Sequence, residues 1–172
     1  MFWMLLFKSL YFFLPAYIAN MSPVLFRKIP FLEKPISEKY FGSHKTWRGL
    51  IVAVIMGIII FGLQKIAYTL GFTQLALIDY SDYSLLVGLF LGAGAILGDL
   101  VKSYYKRKAE IPPGDPWVPF DQIDFAVGGL IGVCFVFVPP AEVALIILVA
   151  SPLLHFIINF IGFYLKINKK RY

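Results

Sequence analysis

Charge is scarce in this chain, and so are the residues from which most soluble active sites are built. Charged residues make up 15% of it, against about a quarter in soluble domains. The single cysteine, Cys134, lies in an apolar run, which excludes a disulfide framework and a CxxC metal site. Two histidines beside one cysteine also argue against zinc. There is no Walker A run and no GxGxxG, so the soluble nucleotide folds those motifs mark are absent.

What is there is apolar. Of 172 residues, 59% are hydrophobic, and the mean hydropathy is +0.77, which assigns the chain to lipid. Its length predicts one compact transmembrane domain over residues 1–172, without room for a separate soluble one. A net charge of +6 would suit nucleic acid, but the basic residues flank apolar runs in blocks and form no stripe. They fit a positive-inside topology, an anionic substrate, or both, and no nucleic-acid partner.

A hydrocarbon core about 30 Å thick takes roughly 20 helical residues to cross. The pattern predicts an all-α integral membrane protein with five spans, over about 2–20 (bent at Pro15), 50–72, 85–101, 121–138 and 141–166. Lys8 within the first run, and no small-x-small site after it, argue against a cleaved signal. Lys65, near the far end of the second run, is placed to snorkel. Arg27, Lys28, Lys34, Lys39, Lys45 and Arg48 fall in one loop, Lys102, Lys106, Arg107 and Lys108 in another, and Lys166, Lys169, Lys170 and Arg171 in the tail. The opposite side carries Asp79, Asp82 and Glu142 and no basic loop residue. This bias predicts an outside N-terminus, a cytoplasmic C-terminus and two functional cytoplasmic loops.

Gly88-x-x-x-Gly92, Gly94-x-x-x-Gly98 and the trio Gly128, Gly129 and Gly132 read as close helix packing, with the third and fourth spans as partners. The fourth apolar run, Phe125 to Val138, is too short to cross, so its helix is expected to begin around Phe120 to Ile123. That start draws Asp121 and Asp124 toward membrane depth, where an ionisable group is costly.

The chemistry-bearing stretch is GDLVKSYYKRKAEIPPGDPWVPFDQIDF, from Gly98 to Phe125. If the third span continues as helix, Asp99, Lys102, Ser103 and Lys106 recur at i, i+3, i+4 and i+7 on one face. Asp121 and Asp124 share a face of the next helix, beyond a turn through Pro112-Pro113-Gly114-Asp115-Pro116. Carboxylates grouped with lysines suit Mg²⁺ and a polyphosphate, and equally a solvated face. The run Gly42-Ser43-His44-Lys45-Thr46-Trp47-Arg48-Gly49 suits a phosphate or an interfacial anchor. His155 and Asn159, four apart, suit an interhelical hydrogen bond. An anion transporter or channel would instead spread its charges through the bilayer centre.

Taken together, GSHKTWRG before one span, GDxxKSxxKR ending another, then PPGD and FDQIDF, resemble the archaeal CDP-archaeol synthases. These are membrane cytidylyltransferases related to the CDP-diacylglycerol synthases of bacteria and eukaryotes. The S-x-x-K-R and D-x-x-D parts of that signature stand here at Ser103, Lys106, Arg107, Asp121 and Asp124. The chain departs from the larger enzymes in reading Pro113-Gly114-Asp115 where they have H-G-G, D-Q-x-D where they have D-R-x-D, and in its shorter length. A CDP-alcohol phosphatidyltransferase would show D-G-x-x-A-R followed by G-x-x-x-D-x-x-x-D, and neither occurs. The resemblance implies transfer of CMP from CTP to an isoprenoid ether-lipid phosphate, with Mg²⁺ as cofactor. It implies that Asp99 and Asp124 hold the metal, with Asp121 a further ligand or a group behind them. Lys102, Lys106 and Arg107 would hold the triphosphate, and Ser103 a phosphate or metal-bound water. Asp115 would close over the nucleotide or position a lysine, while His44, Lys45, Thr46 and Arg48 complete the phosphate site.

Overall fold

The computed structural model describes residues 2–112 and 115–164. Pro113 and Gly114 of the turn, the basic tail from Lys166, and the side chains of His155 and Asn159 fall outside the described residues. The described chain is helical, with one isolated antiparallel bridge between Pro35 and Thr46. In chain order the helices are α1 (Phe2–Phe12), α2 (Leu14–Leu25), α3 (Glu38–Phe41), α4 (Trp47–Thr69), α5 (Leu86–Lys108), α6 (Phe120–Val133) and α7 (Ala141–Tyr164). By length and composition α4 and α5 can each cross a membrane, and α1 with α2 forms a third such segment bent by 46°. The bend falls where Pro15 enters the first turn of α2, as the sequence predicts.

α5 is the axis of the bundle, and its two glycine pairs face different neighbours. A Cβ on Gly57 of α4 would stand 2.5 Å from the Gly88 carbonyl oxygen and 2.9 Å from Gly92 Cα. On another face, Gly94 and Gly98 meet Gly128 and the Asp124 carbonyl of α6, again too closely for a Cβ. The expected partnership of the third and fourth spans is therefore present, made backbone against backbone.

α6 starts at Phe120, as the length argument requires, but it stops at Val133. The sequence expectation ran to Val138. Pro139 disfavours helix at Val138, and the chain turns at Cys134–Val136. The 14-residue helix spans only about 21 Å.

Phe12, Phe13, Phe61, Tyr80, Leu91, Val133 and Ile147 form the buried core, while Leu63, Ile66 and Val149 point outward, as lipid contact demands. At the end of the bundle away from the site, the Lys65 ammonium donates to the Tyr80 carbonyl at 2.6 Å and also to that of Tyr83.

Candidate active site

The site forms where α5 ends, α6 begins and the loop before α4 folds back. Because α5 stays helical to Lys108, Asp99, Lys102 and Lys106 lie along one face. The close approach at Gly98 brings the first turn of α6 onto that face. Lys102 Nζ then lies 3.2 Å from Asp99, 2.8 Å from Asp121 and 3.1 Å from Asp124. Lys106 Nζ is 2.9 Å from Asp121, whose carboxylate also accepts from the Trp117 amide.

The third ammonium comes from the first loop. Ile36 N–H donates to the Lys45 carbonyl at 2.8 Å, Trp47 N–H to Lys34 at 3.2 Å and Arg48 N–H to Leu32 at 3.0 Å. This short antiparallel pairing presents Lys45, whose ammonium pairs with Asp99. Thr46 caps α4, its hydroxyl accepting from Gly49 N–H at 3.2 Å. Arg48 is buried and donates to the Ile29 carbonyl at 2.5 Å and to Glu33 at 3.2 Å, so its guanidinium braces the loop.

Three carboxylates thus face three ammonium groups in a largely desolvated cluster. Burying an unpaired charge here would be strongly unfavourable, and each carboxylate has at least one cationic partner. Among the described residues, no three carboxylate, imidazole or thiolate groups converge closely enough to hold a metal by themselves. The Asp oxygens are instead spaced around the Lys102 ammonium.

Two cavities open on this cluster. A polar one of about 770 Å³ is lined by His44, Lys45, Thr46, Arg48, Asp99, Lys102, Lys106, Asp115, Asp121 and Asp124. Ser103, buried, and Arg107, half-buried, lie off its wall. Asn20, Arg27, Glu33 and Gln122 line it although sequence reasoning passed them over. Gln122 was visible only as a polar residue between two acids, and the others needed the fold of α2 and the loop. The second cavity is an apolar groove of about 620 Å³ between α5 and α6, with Leu97, Val101, Tyr105, Val127, Ile131 and Phe135 on its walls. Lys102 and Asp124 belong to both.

A polar chamber and an apolar one that share two charged side chains suit a membrane enzyme acting on a soluble and a lipophilic substrate together. Comparison with known proteins specifies that class. Residues 2–172 match the CarS-like, CDP-archaeol synthase family. The chain is 34% identical to the CDP-archaeol synthase of Pyrococcus furiosus, over 92% of this chain and 93% of that one. It is also 34% identical to that of Methanopyrus kandleri, over 97% and 94%. A solved structure of an intramembrane enzyme for archaeal membrane lipids biosynthesis superposes with a TM-score of 0.66 at 27% identity, covering 88% of this chain and 92% of that one. The chain belongs to the CDP-archaeol synthase family, and is by that membership a membrane cytidylyltransferase of archaeal lipid biosynthesis.

Proposed function

We propose that this chain transfers CMP from CTP to 2,3-bis-geranylgeranyl-glycerol 1-phosphate, giving CDP-archaeol and pyrophosphate. The observation that carries this reading is the meeting of the polar cavity and the apolar groove at Lys102 and Asp124. CTP occupies the polar cavity, and the isoprenoid chains enter along the groove between α5 and α6. A phosphate monoester has its second pKa at about 6, so the lipid phosphate arrives largely ionised and needs no strong general base. Its oxygen attacks the α-phosphorus, a new P–O bond forms, and the bond to the bridging oxygen breaks as pyrophosphate leaves. Lys45, Lys102 and Lys106 stabilise the phosphate charge that builds up, and the rigid α5–α6 contact aligns the reactants.

Mg²⁺ fits the donors at hand. It favours one or two carboxylates completed by water and phosphate oxygens, and the oxygens of Asp99, Asp121 and Asp124 already surround a cation, the Lys102 ammonium. Asp99 and Asp124 would hold the metal with Asp121 beside them, and the ion would supply neutralisation of the triphosphate oxygens. The basic loops favour the cytoplasmic face for the site, and five spans follow where α6 crosses together with the turn after Val133.

The test supplies purified protein with α-phosphate-labelled CTP, Mg²⁺ and the geranylgeranyl glycerophosphate, with ATP, GTP and a diacyl phosphatidic acid alongside. Label is expected in the lipid fraction with CTP alone, and is lost with EDTA. No transfer to any lipid phosphate would reject the reading and favour an anion-handling membrane protein.

A further inference from the structure

Four buried side-chain polar atoms lack a hydrogen-bond partner among the described residues: Gln64 Oε1, Tyr80 Oη, Arg107 Nε and Gln122 Oε1. Of these, only Gln122 belongs to the wall of the polar cavity. It is 4% exposed. A buried carbonyl oxygen without a donor is unfavourable and rare in folded proteins; Gln122 lines the cavity, and a turn of its amide about the last torsion presents this oxygen to a donor that enters there.

The register of α6 places this oxygen. Asp121, Asp124 and Gly128 turn toward α5, where the ammonium groups lie. Gln122 shares its face with Gly129, one step of seven along the helix, and Gly129 packs on Phe13 and Ala16 at the start of α2. The cavity therefore has a phosphate-binding side on α5 and an acceptor on its α2 side. Of the two substrates, the ionised diether lipid phosphate offers only acceptors. CTP offers donors, in the cytosine 4-amino group and the ribose hydroxyls.

Resting on the cytidylyltransferase reading, we infer that Gln122 Oε1 accepts a hydrogen bond from the nucleoside half of CTP and orients it toward α2. Gln122 is thereby a specificity-determining residue. A site that pairs such a donor discriminates strongly against an analogue lacking it, because the buried partner is left unpaired.

The test compares wild type, Gln122→Met and Gln122→Glu with CTP, UTP and 2′-deoxy-CTP at saturating lipid phosphate. Gln122→Met is expected to raise KM for CTP at least tenfold and leave KM for the lipid unchanged. Gln122→Glu keeps an acceptor oxygen at the same reach but buries a further carboxylate beside Asp121 and Asp124, so it is expected to restore the nucleotide preference without restoring KM for CTP. If the donor is the amino group, the preference for CTP over UTP collapses in Gln122→Met; if it is the ribose, the preference over 2′-deoxy-CTP collapses. An unchanged KM for CTP, or both preferences intact, overturns the inference. Should Gln122→Met not fold, Gln122→Asn, which withdraws the oxygen by one methylene, is read by the same ratios. Wild type that labels no lipid defeats the enzymatic reading; wild type that does, with an indifferent Gln122→Met, defeats this inference alone.

Discussion

The ammonium of Lys102 and the carboxylate of Asp124 stand 3.1 Å apart, on different helices, and both border the polar and the apolar cavity. They are the two charged side chains that these cavities share. Asp124→Asn is expected to keep the fold and lower label transfer from CTP to lipid by about 100-fold or more, the scale of losing one preorganised electrostatic contact. Transfer within a factor of two of wild type would remove Asp124 from the reaction.

Lys102 supplies a sharper prediction, because its ammonium fills the space between three carboxylates. Lys102→Met is expected to stop turnover and yet tighten binding of Mn²⁺ in the absence of nucleotide, since the resident cation is gone. Mn²⁺ affinity by electron paramagnetic resonance reads this directly. Equal affinity in wild type and variant would show that the carboxylates are too far apart to share an ion.

Two glycines separate stability from catalysis. Gly88→Ala forces a methyl against Gly57 and Phe61 far from the cluster, whereas Gly98→Ala forces one against the Asp124 backbone. Overpacking of this kind costs about 1–3 kcal/mol, so both lower the unfolding temperature. Only Gly98→Ala is expected to lower kcat at temperatures where the fold is intact. A matching kcat loss in Gly88→Ala would mean that the α5–α6 contact does not set the site.

The groove has its own signature. Val127→Trp or Ile131→Trp narrows it, and KM for the lipid phosphate is expected to rise while KM for CTP stays put. Steady-state kinetics with each substrate varied in turn decides this, and a parallel change in both constants would place the lipid elsewhere.

Arg48 is braced against the Ile29 carbonyl and Glu33. Both bonds leave one guanidinium nitrogen, which an ammonium on a shorter side chain can partly replace, so Arg48→Lys is expected to fall between wild type and Arg48→Ala. Glu33→Gln, whose side chain is 65% exposed, is expected to change little. KM for CTP measures all three.

The sequence carried much of this, for identifiable reasons. Helical spacing alone aligns Asp99, Lys102 and Lys106, and small residues four apart alone announce that α5 packs tightly. Ser103 shares the same i, i+4 arc, but burial on the inner side of α5 takes it off the cavity wall, a rotation too small for periodicity to resolve. The pairing of Lys45 with Asp99 joins residues 54 apart in the chain and rests on backbone bonds between two irregular segments, for which no periodic signal exists. The early end of α6 interrupts a continuous apolar run well before Pro139, and hydropathy does not distinguish helix from turn. The open acceptor on Gln122 is a property of its neighbours, and became visible only when those neighbours had positions.

The groove between α5 and α6 also decides how the reaction must be counted. A substrate held there never leaves the bilayer, so its effective concentration is a mole fraction in a two-dimensional phase. Diluting the lipid phosphate with inert lipid at constant bulk amount should slow the enzyme, while diluting the whole suspension with buffer at saturating CTP should not.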